Sequence, residues 1–503
     1  MTTVKTARLK APFSIKMLVV AALFMHCIWL TACKQSTAVD ADYCVVDAST
    51  LEQNRTAAEK GDAVAQYNLG LAYYTGQGVT KDYAQAVSWF RKAAEQGLAS
   101  AQDNLGFMYE NGQGVTRNYA QAGFWLRKAA EQGNANAQYS LGYMYLEGQG
   151  VTRDYAQAIS WWRKAAEQGN AQAQNGLGLM YQKGLGVAKN GAQAISWYRK
   201  AAEQEDASAQ SNLGWMYATG QGVARDDVQA VSWWHKAADH GNTSAQFNLG
   251  VMYRDGQGVP KDRAKAVSWF RKAAEQGNAN AQNSLGNAYY NGDGVAKDDT
   301  QALFWFRKAA EQGFANAQNN LGVMYAKGQG VAKDDTQAIS WFRKAAEQGV
   351  APAQLSLGVM YAKGQGATKD DTQALSWYRK AAEQGYAPAQ YNFGMMYYKS
   401  RGIAQDYTQA ASWFNKAAEQ GYDPAQNNLG WMYEHGQGVA KDDVQAVSWY
   451  RKAAEQGNAN AQNNLGMMYR KGQGVPKDEA QAQAWLRKAA AQGNPYAKKA
   501  LAK

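Results

Sequence analysis

The sequence predicts an all-α solenoid, an α/α fold built from twelve helix-turn-helix repeats of 36 residues. From Ala65 to Tyr496 one pattern returns every 36 residues without insertion or deletion. Each copy holds two segments in which apolar residues recur at helical spacing, and glycine or an acidic or amide residue marks their ends. A fixed period of this length is typical of repeat proteins, in which each repeat packs only against its neighbours.

The first helix of the repeat is predicted to run from about residue 64 to residue 75 in the first copy. The apolar side chains that recur there at helical spacing are Ala65, Leu69, Ala72 and Tyr73. Gly76 follows, and eleven of the twelve copies have glycine at this position, with Ser400 as the exception. Because glycine tolerates the left-handed conformation that often follows a last helical turn, it predicts the helix end.

The second helix is predicted to begin at Asp82. Every copy has Asp or Asn at this position, and such side chains accept hydrogen bonds from the free amides of a first helical turn, each cap contributing about 1 kcal/mol. Gly97 ends the helix. In the fourth copy Glu205 takes its place, which predicts either a strained backbone or a longer helix, and an irregularity between the fourth and fifth repeats.

Tryptophan recurs in the second helix at the position of Trp89 in all twelve copies. It is flanked by Ala86 and Ala93, which predicts close helix packing with the indole filling the gap in the core. A ligand-binding role for these rings is the alternative. The core interpretation is preferred because the residue does not vary between copies.

The loop between the two helices reads GQGVTKD in the first copy and resembles a phosphate-binding loop in its glycines and lysine. However, the glycines follow a predicted helix rather than a strand, and the pattern G-x-x-x-x-G-K-[ST] does not occur in the sequence. A catalytic loop is needed once, whereas this one is part of every repeat. The loop is therefore predicted to be part of the scaffold.

The first 32 residues have the pattern of a bacterial lipoprotein signal peptide. Four basic residues precede an uncharged apolar stretch, residues 17–30, which is shorter than the roughly 20 residues of a membrane span. The stretch ends in LTAC, which resembles a lipobox and predicts cleavage before Cys33 with lipid attached to that cysteine. An ordinary secretory signal and an uncleaved anchor are the alternatives. After cleavage, Lys34 would be the second residue of the mature chain. Since this residue is not aspartate, the lipoprotein resemblance implies sorting to the outer membrane.

Four further segments complete the predicted organisation. Residues 33–50 form a polar tether, 51–64 an N-terminal half-repeat cap that copies the end of a second helix, 65–496 the twelve repeats, and 497–503 a remnant of a C-terminal cap. Removal of the signal peptide would leave Cys44 without an intramolecular disulfide partner, since Cys27 departs and Cys33 carries lipid. Stability must then come from packing.

Charge and chemistry give little support to nucleic-acid binding or catalysis. The formal net charge is +11, and the four basic residues of the signal peptide account for part of it, leaving +7. An exported protein with this mild bias is not expected to bind nucleic acid. The histidines outside the signal peptide, His235, His240 and His435, belong to no serine–histidine–aspartate or metal-ligand pattern, so no catalytic residue, metal or cofactor is predicted.

The pattern A-x-x-x-L-G-x-M-Y-x-x-G-x-G-V-x-x-D-x-x-x-A-x-x-W-x-x-K-A-A-x-x-G resembles the Sel1-like repeat, a relative of the tetratricopeptide repeat. The resemblance implies a right-handed superhelix that serves as an adaptor or scaffold for other proteins. It also implies envelope or secreted locations and roles in polysaccharide export, signalling or host interaction. A cysteine-rich branch is linked to β-lactam binding and hydrolysis, but this chain lacks the cysteines that staple each repeat there.

One stripe of the first helix varies between copies while the packing positions barely change. It lies at positions 67, 71 and 74 and their equivalents, which share one helical face. The bulky members chosen as candidate binding residues are Tyr67, Leu71, Tyr74, Phe107, Tyr139, Tyr143, Trp215, Phe247, Tyr391, Met395, Trp431 and Met467. The tetratricopeptide resemblance implies that this face lines a concave groove. Unconstrained surface is the alternative.

A row of amides lies beside that stripe. The candidate ladder residues are Asn68, Asn104, Asn212, Asn248, Asn320, Asn392, Asn428 and Asn464. An amide both donates and accepts, so such a row can pair with an extended backbone of any sequence. The alternative is that each Asn steadies a neighbouring helix.

The predicted function is therefore binding without catalysis. The chain is expected to be an exported, lipid-anchored scaffold in the cell envelope that presents a groove to another protein, an extended peptide or a host molecule. A cell-wall or β-lactam-acting hydrolase is the alternative from another class, and a spacer without a groove ligand is the third.

Overall fold

The computed structural model describes residues 48–502, in which all regular secondary structure is helical. The predicted signal peptide, Cys33 and Cys44 lie outside the described residues. The chain divides into two compact units, one ending at Gln276 and the other beginning at Gly277. Within each unit a first and a second helix alternate along the chain, so the predicted all-α repeat architecture is confirmed.

The first unit contains thirteen helices in its described part. They are α1 (Ala48–Glu59), α2 (Ala63–Thr75), α3 (Tyr83–Glu95), α4 (Ala99–Asn111), α5 (Tyr119–Glu131), α6 (Ala135–Glu147), α7 (Tyr155–Glu167), α8 (Ala171–Lys183), α9 (Gly191–Glu203), α10 (Ala207–Thr219), α11 (Asp227–Asp239), α12 (Thr243–Asp255) and α13 (Arg263–Glu275). From α2 onward the even-numbered helices are first helices and the odd-numbered ones are second helices. The helix α1 begins inside the segment predicted to be tether.

The described part of the second unit also contains thirteen helices. They are α14 (Ala279–Asn291), α15 (Asp299–Glu311), α16 (Ala315–Lys327), α17 (Asp335–Glu347), α18 (Ala351–Lys363), α19 (Asp371–Glu383), α20 (Ala387–Lys399), α21 (Tyr407–Glu419), α22 (Asp423–His435), α23 (Asp443–Glu455), α24 (Ala459–Lys471), α25 (Glu479–Ala491) and α26 (Pro495–Leu501). The short α26 occupies the place of a first helix, two residues earlier than the predicted cap remnant.

The helix ends follow the predicted capping chemistry. Asp82 accepts hydrogen bonds from the amides of Ala84 (2.9 Å) and Gln85 (3.1 Å), and Gly76 has the left-handed φ of 81°. The two residues that replace glycine, Glu205 (φ 63°) and Ser400 (φ 54°), adopt the same conformation. The strained alternative for Glu205 is therefore observed. The irregularity expected between the fourth and fifth repeats is not observed, because α9 and α10 begin and end at the same repeat positions as the helices of the other repeats.

The two helices of a repeat approach closely at a glycine of the first helix. A Cβ atom added to Gly214 would lie 2.7 Å from the indole of Trp234, and one added to Gly178 would lie 2.5 Å from the ring of Tyr198. Real Cβ atoms do not approach other atoms so closely, so the ring of the second helix can occupy this place only because the first helix has no side chain there.

The recurrent tryptophan is not the core residue. The residue after it is buried instead, and its side chain is Trp234 in α11 and Tyr198 in α9. Ten of the twelve recurrent tryptophans are partly exposed, and Trp125 and Trp305 are 8% exposed. The indole of Trp233 packs against the cluster formed by α9 and α10, at the junction between repeats. The predicted core position was therefore wrong by one residue.

A lysine covers each of these rings on its solvent side. The Nζ atom of Lys92 lies 3.8 Å from the centre of the Trp89 ring, and the same pair recurs in the other repeats at up to 5.7 Å. A cation over an indole is attracted by the negative face of the ring, typically by about 0.5–1 kcal/mol at exposed sites. The tryptophan is thus held between an apolar cluster below and an ammonium group above.

A row of paired glutamines, one buried and one exposed in each pair, joins successive repeats, and sequence analysis did not predict it. Gln204 donates to the Oε1 atom of Gln174 (2.8 Å), and Gln174 donates in turn to the carbonyl of Ala166 (3.0 Å). Gln210 donates to a carbonyl in the same way, but its Oε1 atom is buried without a partner. The reason is that His240 occupies the place of the donating glutamine.

Replacement of Gly214 by alanine is expected to destabilise the protein, since the new Cβ would displace Trp234. Overpacking of this kind costs about 1–3 kcal/mol, partly offset by the better helix propensity of alanine. Gly123→Ala is the matched control, because its Cβ would meet the flexible end of Met144 at 3.3 Å and Val151 at an ordinary contact distance of 4.0 Å. Thermal unfolding followed by circular dichroism should show a lower midpoint for the first variant only. Equal midpoints would contradict the close-approach argument.

His240→Gln is expected to stabilise the first unit by about 1 kcal/mol, because the new amide can donate to the unpartnered Oε1 atom of Gln210. The reciprocal variant Gln204→His removes the donor from Gln174 and should destabilise by a similar or larger amount. Thermal midpoints of both variants check the prediction. A change of the same sign in both would show that the glutamine row does not act as described.

Candidate binding surface on the first helices

The candidate stripe residues all lie on the first helices, but they differ in exposure. Tyr143 and Phe247 are 7% and 2% exposed, so they belong to the core of the first unit and not to its surface. The other members are partly exposed, namely Tyr67, Leu71, Tyr74, Phe107, Tyr139, Trp215, Tyr391, Met395, Trp431 and Met467. Ten of the twelve candidate residues therefore form a half-buried surface, and Tyr143 and Phe247 lie in the core below it.

Most of the candidate ladder amides bond to protein groups. Asn212 donates to the Oδ1 atom of Asn175 on the preceding first helix (2.8 Å), and Asn104 donates in the same way to the hydroxyl of Tyr67 (3.3 Å). Asn320, Asn428 and Asn464 repeat this contact to the preceding first helix. These hydrogen bonds fit the alternative interpretation, in which Asn steadies a neighbouring helix.

The remaining ladder positions do not form a uniform row. Asn392 donates to the carbonyl of Pro388 in its own helix (2.8 Å). Asn248 is 1% exposed and neither of its amide atoms has a partner, because the preceding repeat has the short Ser211 at the receiving position. Asn68 is partly exposed on α2. An extended peptide would therefore have to displace existing hydrogen bonds to use the row as a ladder.

Two carboxyl groups lie two helical turns apart on the stripe of α4. Asp103 is 6% exposed and Glu110 is partly exposed. Burial raises the pKa of both carboxyls to about 7, and the charge of Glu110 adds to the effect on Asp103. They occupy the stripe positions of Tyr67 and Tyr74, but they are not among the candidate binding residues chosen from the sequence. The available signal was that acids stand where other copies have mostly neutral residues.

Tyrosines of the next first helix complete this cluster. Burial raises the pKa of Tyr139 and Tyr143, and the charge of Glu110 contributes to both shifts. The Tyr139 ring stacks on Trp162 with centres 6.1 Å apart, and the Tyr143 hydroxyl is buried without a partner. We call Asp103, Glu110, Tyr139 and Tyr143 the acidic–tyrosine cluster.

The second unit carries an aromatic surface instead. Trp431 stacks on His435 with ring centres 4.2 Å apart and meets the edge of Tyr398 at 6.2 Å. Tyr391, from the same stripe, packs against Tyr422 at 5.5 Å. Burial is the main cause that raises the pKa of Tyr391, Tyr398 and Tyr422, so their hydroxyls are neutral donors. Large rings with polar edges are typical of protein-binding surfaces.

A different groove lies in the first unit, between α5, α6, α7 and the loop before α7. It has a volume of about 620 Å³ and is lined by residues such as Arg127, Tyr145 and Trp161. Arg127 donates to the Tyr145 hydroxyl at 2.7 Å, and the same arginine–tyrosine pair recurs in other repeats. Because its walls repeat through the chain, this groove belongs to the scaffold.

Residues 48–502 contain neither a metal-binding cluster nor a membrane-spanning helix. No group of three or more histidine, cysteine, aspartate or glutamate side chains is arranged to hold a metal ion there. No helix in that range has the length and apolar character needed to cross a membrane.

Comparison with known families decides the assignment. Twelve consecutive segments match the family described as Sel1 repeat, from residues 63–98 to residues 459–494. The chain belongs to the Sel1 repeat family. The family sets each repeat two residues earlier than the sequence-based frame that begins at Ala65. Sel1 repeat proteins serve as scaffolds for interactions between proteins.

Solved Sel1 structures resemble this chain over most of its length. An Escherichia coli protein, c5321, described as a protective antigen of uropathogenic strains with an SLR fold, is 41% identical, with a TM-score of 0.75 over 90% of this chain and 97% of that one. A Sel1 repeat protein from Oxalobacter formigenes is 37% identical, with a TM-score of 0.50 over 62% of this chain and 90% of that one.

A curated relative matches over a short segment. The secretory immunoglobulin A-binding protein EsiB of Escherichia coli is 50% identical over 42 residues, which is 8% of this chain and 9% of that protein. The match therefore spans about one repeat of the relative.

Asp103→Asn is expected to change how stability depends on pH. Because the pKa of the folded carboxyl is about 7, well above its unfolded value of 3.8, the folded protein retains a proton that the unfolded chain releases as the pH rises through this window. Stability of the parent should therefore fall between about pH 4 and pH 7, by at most about 4 kcal/mol. Asparagine cannot titrate, so the variant should be the more stable protein at pH 8.

Thermal midpoints from pH 4 to pH 8 test this expectation. The parent and the Asp103→Asn variant should differ little at pH 4 and diverge as the pH rises. Parallel curves would mean that the carboxyl is solvated in the folded protein.

Proposed function

We propose that this protein is a non-enzymatic binding scaffold of the bacterial cell envelope, which holds a protein partner on the stripe of its first helices. The observation that carries the proposal is the contrast between the invariant packing positions and a stripe whose aromatic residues change from repeat to repeat and, apart from the buried Tyr143 and Phe247, are partly exposed. Packing alone would select for uniform residues, whereas recognition of an irregular partner requires a different side chain at each step.

The likeness to known Sel1 proteins supports a partner of host origin. A protein named for binding secretory immunoglobulin A shares one repeat-length segment at 50% identity, and the structure that covers 90% of this chain is described as a protective antigen. A lipid attached at Cys33 would hold the scaffold at a membrane, with the outer membrane as the proposed location. An immunoglobulin is accordingly the first partner to test.

The chemistry of the stripe suits a protein ligand. Trp215 in the first unit and Trp431 in the second are partly exposed, and aromatic side chains of this size dominate the energetics of protein interfaces. Neutral tyrosine hydroxyls such as that of Tyr391 add donors at the rim of the rings. Truncation of such an anchor typically costs 2 kcal/mol or more of binding free energy, roughly a 30-fold loss of affinity.

The test compares two double variants. Trp215→Ala with Trp431→Ala removes anchors from the stripe, and Phe124→Ala with Phe304→Ala removes exposed rings (48% and 46% exposed) from second helices. Secretory immunoglobulin A and envelope extract are passed over the immobilised protein, and bound material is quantified. We expect capture by the parent and the phenylalanine variant, and at least a 10-fold loss with the tryptophan variant.

Two results would reject the proposal. Equal capture by all three proteins would place the binding surface elsewhere, and no capture from either source would favour a spacer role. The thermal midpoints of both variants must stay close to that of the parent, so that lost binding is not caused by unfolding.

A further inference from the structure

The acidic–tyrosine cluster lies where donor groups present in other repeats are missing. In the eleventh repeat Glu434 occupies the position that Glu110 has in the second, and the hydroxyl of Tyr450 donates to it at 2.7 Å. In the fourth repeat Tyr198 donates in the same way to Gln182 at 2.6 Å. The corresponding residue of the second repeat is Leu126, which has no hydrogen to donate.

Hydrogen-bond donors are also missing beside Asp103 and beside Tyr139. Asn175 is the equivalent of Asp103 two repeats later, and it accepts a hydrogen bond from Asn212 on the following first helix. The equivalent of Asn212 on the helix that follows Asp103 is the shorter Ser140. In other repeats the tyrosine equivalent to Tyr139 accepts a hydrogen bond from an asparagine on the next first helix, namely Asn104 or Asn428. The residue at the place of that asparagine after Tyr139 is Gly176. A side chain at Gly176 would meet the ring of Trp162 at 2.9 Å, so the core excludes an asparagine there.

Neighbouring groups of the protein therefore leave this cluster uncompensated. Among residues 48–502, no lysine, arginine or histidine pairs with Asp103 or Glu110, and the buried hydroxyl of Tyr143 has no partner. A buried carboxyl without a cation is unfavourable because it has lost its solvation, and an external cation would restore the lost interaction.

We propose that the acidic–tyrosine cluster binds a cationic side chain, arginine or lysine, carried by an extended segment of the protein partner. This proposal rests on the proposed function, since it assigns one contact within the same stripe. The cluster would act as a charge-specific anchor in the first unit. Beside Trp431 in the second unit, the carboxylate of Glu434 already accepts a hydrogen bond from Tyr450, and aromatic rings form the surface. A carboxylate and a guanidinium form the stronger, bidentate type of charged hydrogen bond, which favours arginine over lysine.

The test uses fluorescein-labelled peptides of alternating glycine with arginine, lysine or glutamate, six residues long, and measures fluorescence anisotropy at pH 8 in about 0.15 M salt. At this ionic strength long-range attraction is screened, so binding reports local contact. The variants are Glu110→Gln and Leu126→Tyr, the second of which supplies the hydroxyl that Tyr450 supplies to Glu434. The matched control is Glu434→Gln, which removes an equal charge from the same repeat position.

We expect the parent and the Glu434→Gln control to bind the arginine peptide best, the lysine peptide less and the glutamate peptide not at all. Both Glu110→Gln and Leu126→Tyr should weaken arginine-peptide binding about 10-fold, since each removes or satisfies the free carboxylate. Asp103→Asn, which conserves size, should act in the same direction.

Equal affinity of the parent and the Glu110→Gln variant would overturn the proposal, because binding would then not depend on this carboxylate. An equal loss with Glu434→Gln would also overturn it, because binding would then reflect net charge alone. The capture experiment with the tryptophan variants does not depend on this outcome. If the peptides fail to bind while those variants lose their partner, the cationic anchor is rejected and the scaffold function stands.

Discussion

The close contact between a glycine of the first helix and the ring of the second helix is the constraint on which the repeat depends. At Gly214 and Gly178 the ring lies where a side chain would otherwise be. The contact brings the two helices of a repeat together and buries the ring that follows the recurrent tryptophan. With this position fixed, the tryptophan itself must point toward the junction with the preceding repeat, where it packs on one face and is covered by lysine on the other.

Between repeats, polar groups set the register as much as apolar ones do. The buried glutamine row passes hydrogen bonds from one repeat to the next, and asparagines beside the stripe join successive first helices. Buried amides are favourable only when their donors and acceptors are matched, so each substitution in such a row leaves a specific atom unpaired. His240 leaves the Oε1 atom of Gln210 unpaired. Around the acidic–tyrosine cluster, Leu126, Ser140 and Gly176 occupy positions at which other repeats have a tyrosine or asparagine donor.

These broken contacts are informative because the twelve repeats provide their own comparison. A repeat in which the donor is present shows which hydrogen bond a position can form, as the bond from Tyr450 to Glu434 does. Where the donor is missing but the acceptor remains, the protein has kept a polar group in a poorly solvated place. This is the physical reason to look for an external ligand at Glu110 rather than at Glu434.

By itself, the sequence determined the repeat length, the helices and their caps, since these depend on local chemistry: the periodicity of apolar residues, the acceptor at Asp82 and the glycine at Gly76. It also determined which stripe varies. Only the tertiary structure decided which of two adjacent aromatic residues enters the core, that Tyr143 and Phe247 lie beneath the stripe, and that the asparagines bond to neighbouring helices. Those outcomes depend on distances between side chains of different repeats, and neither a helical period nor a motif contains that information.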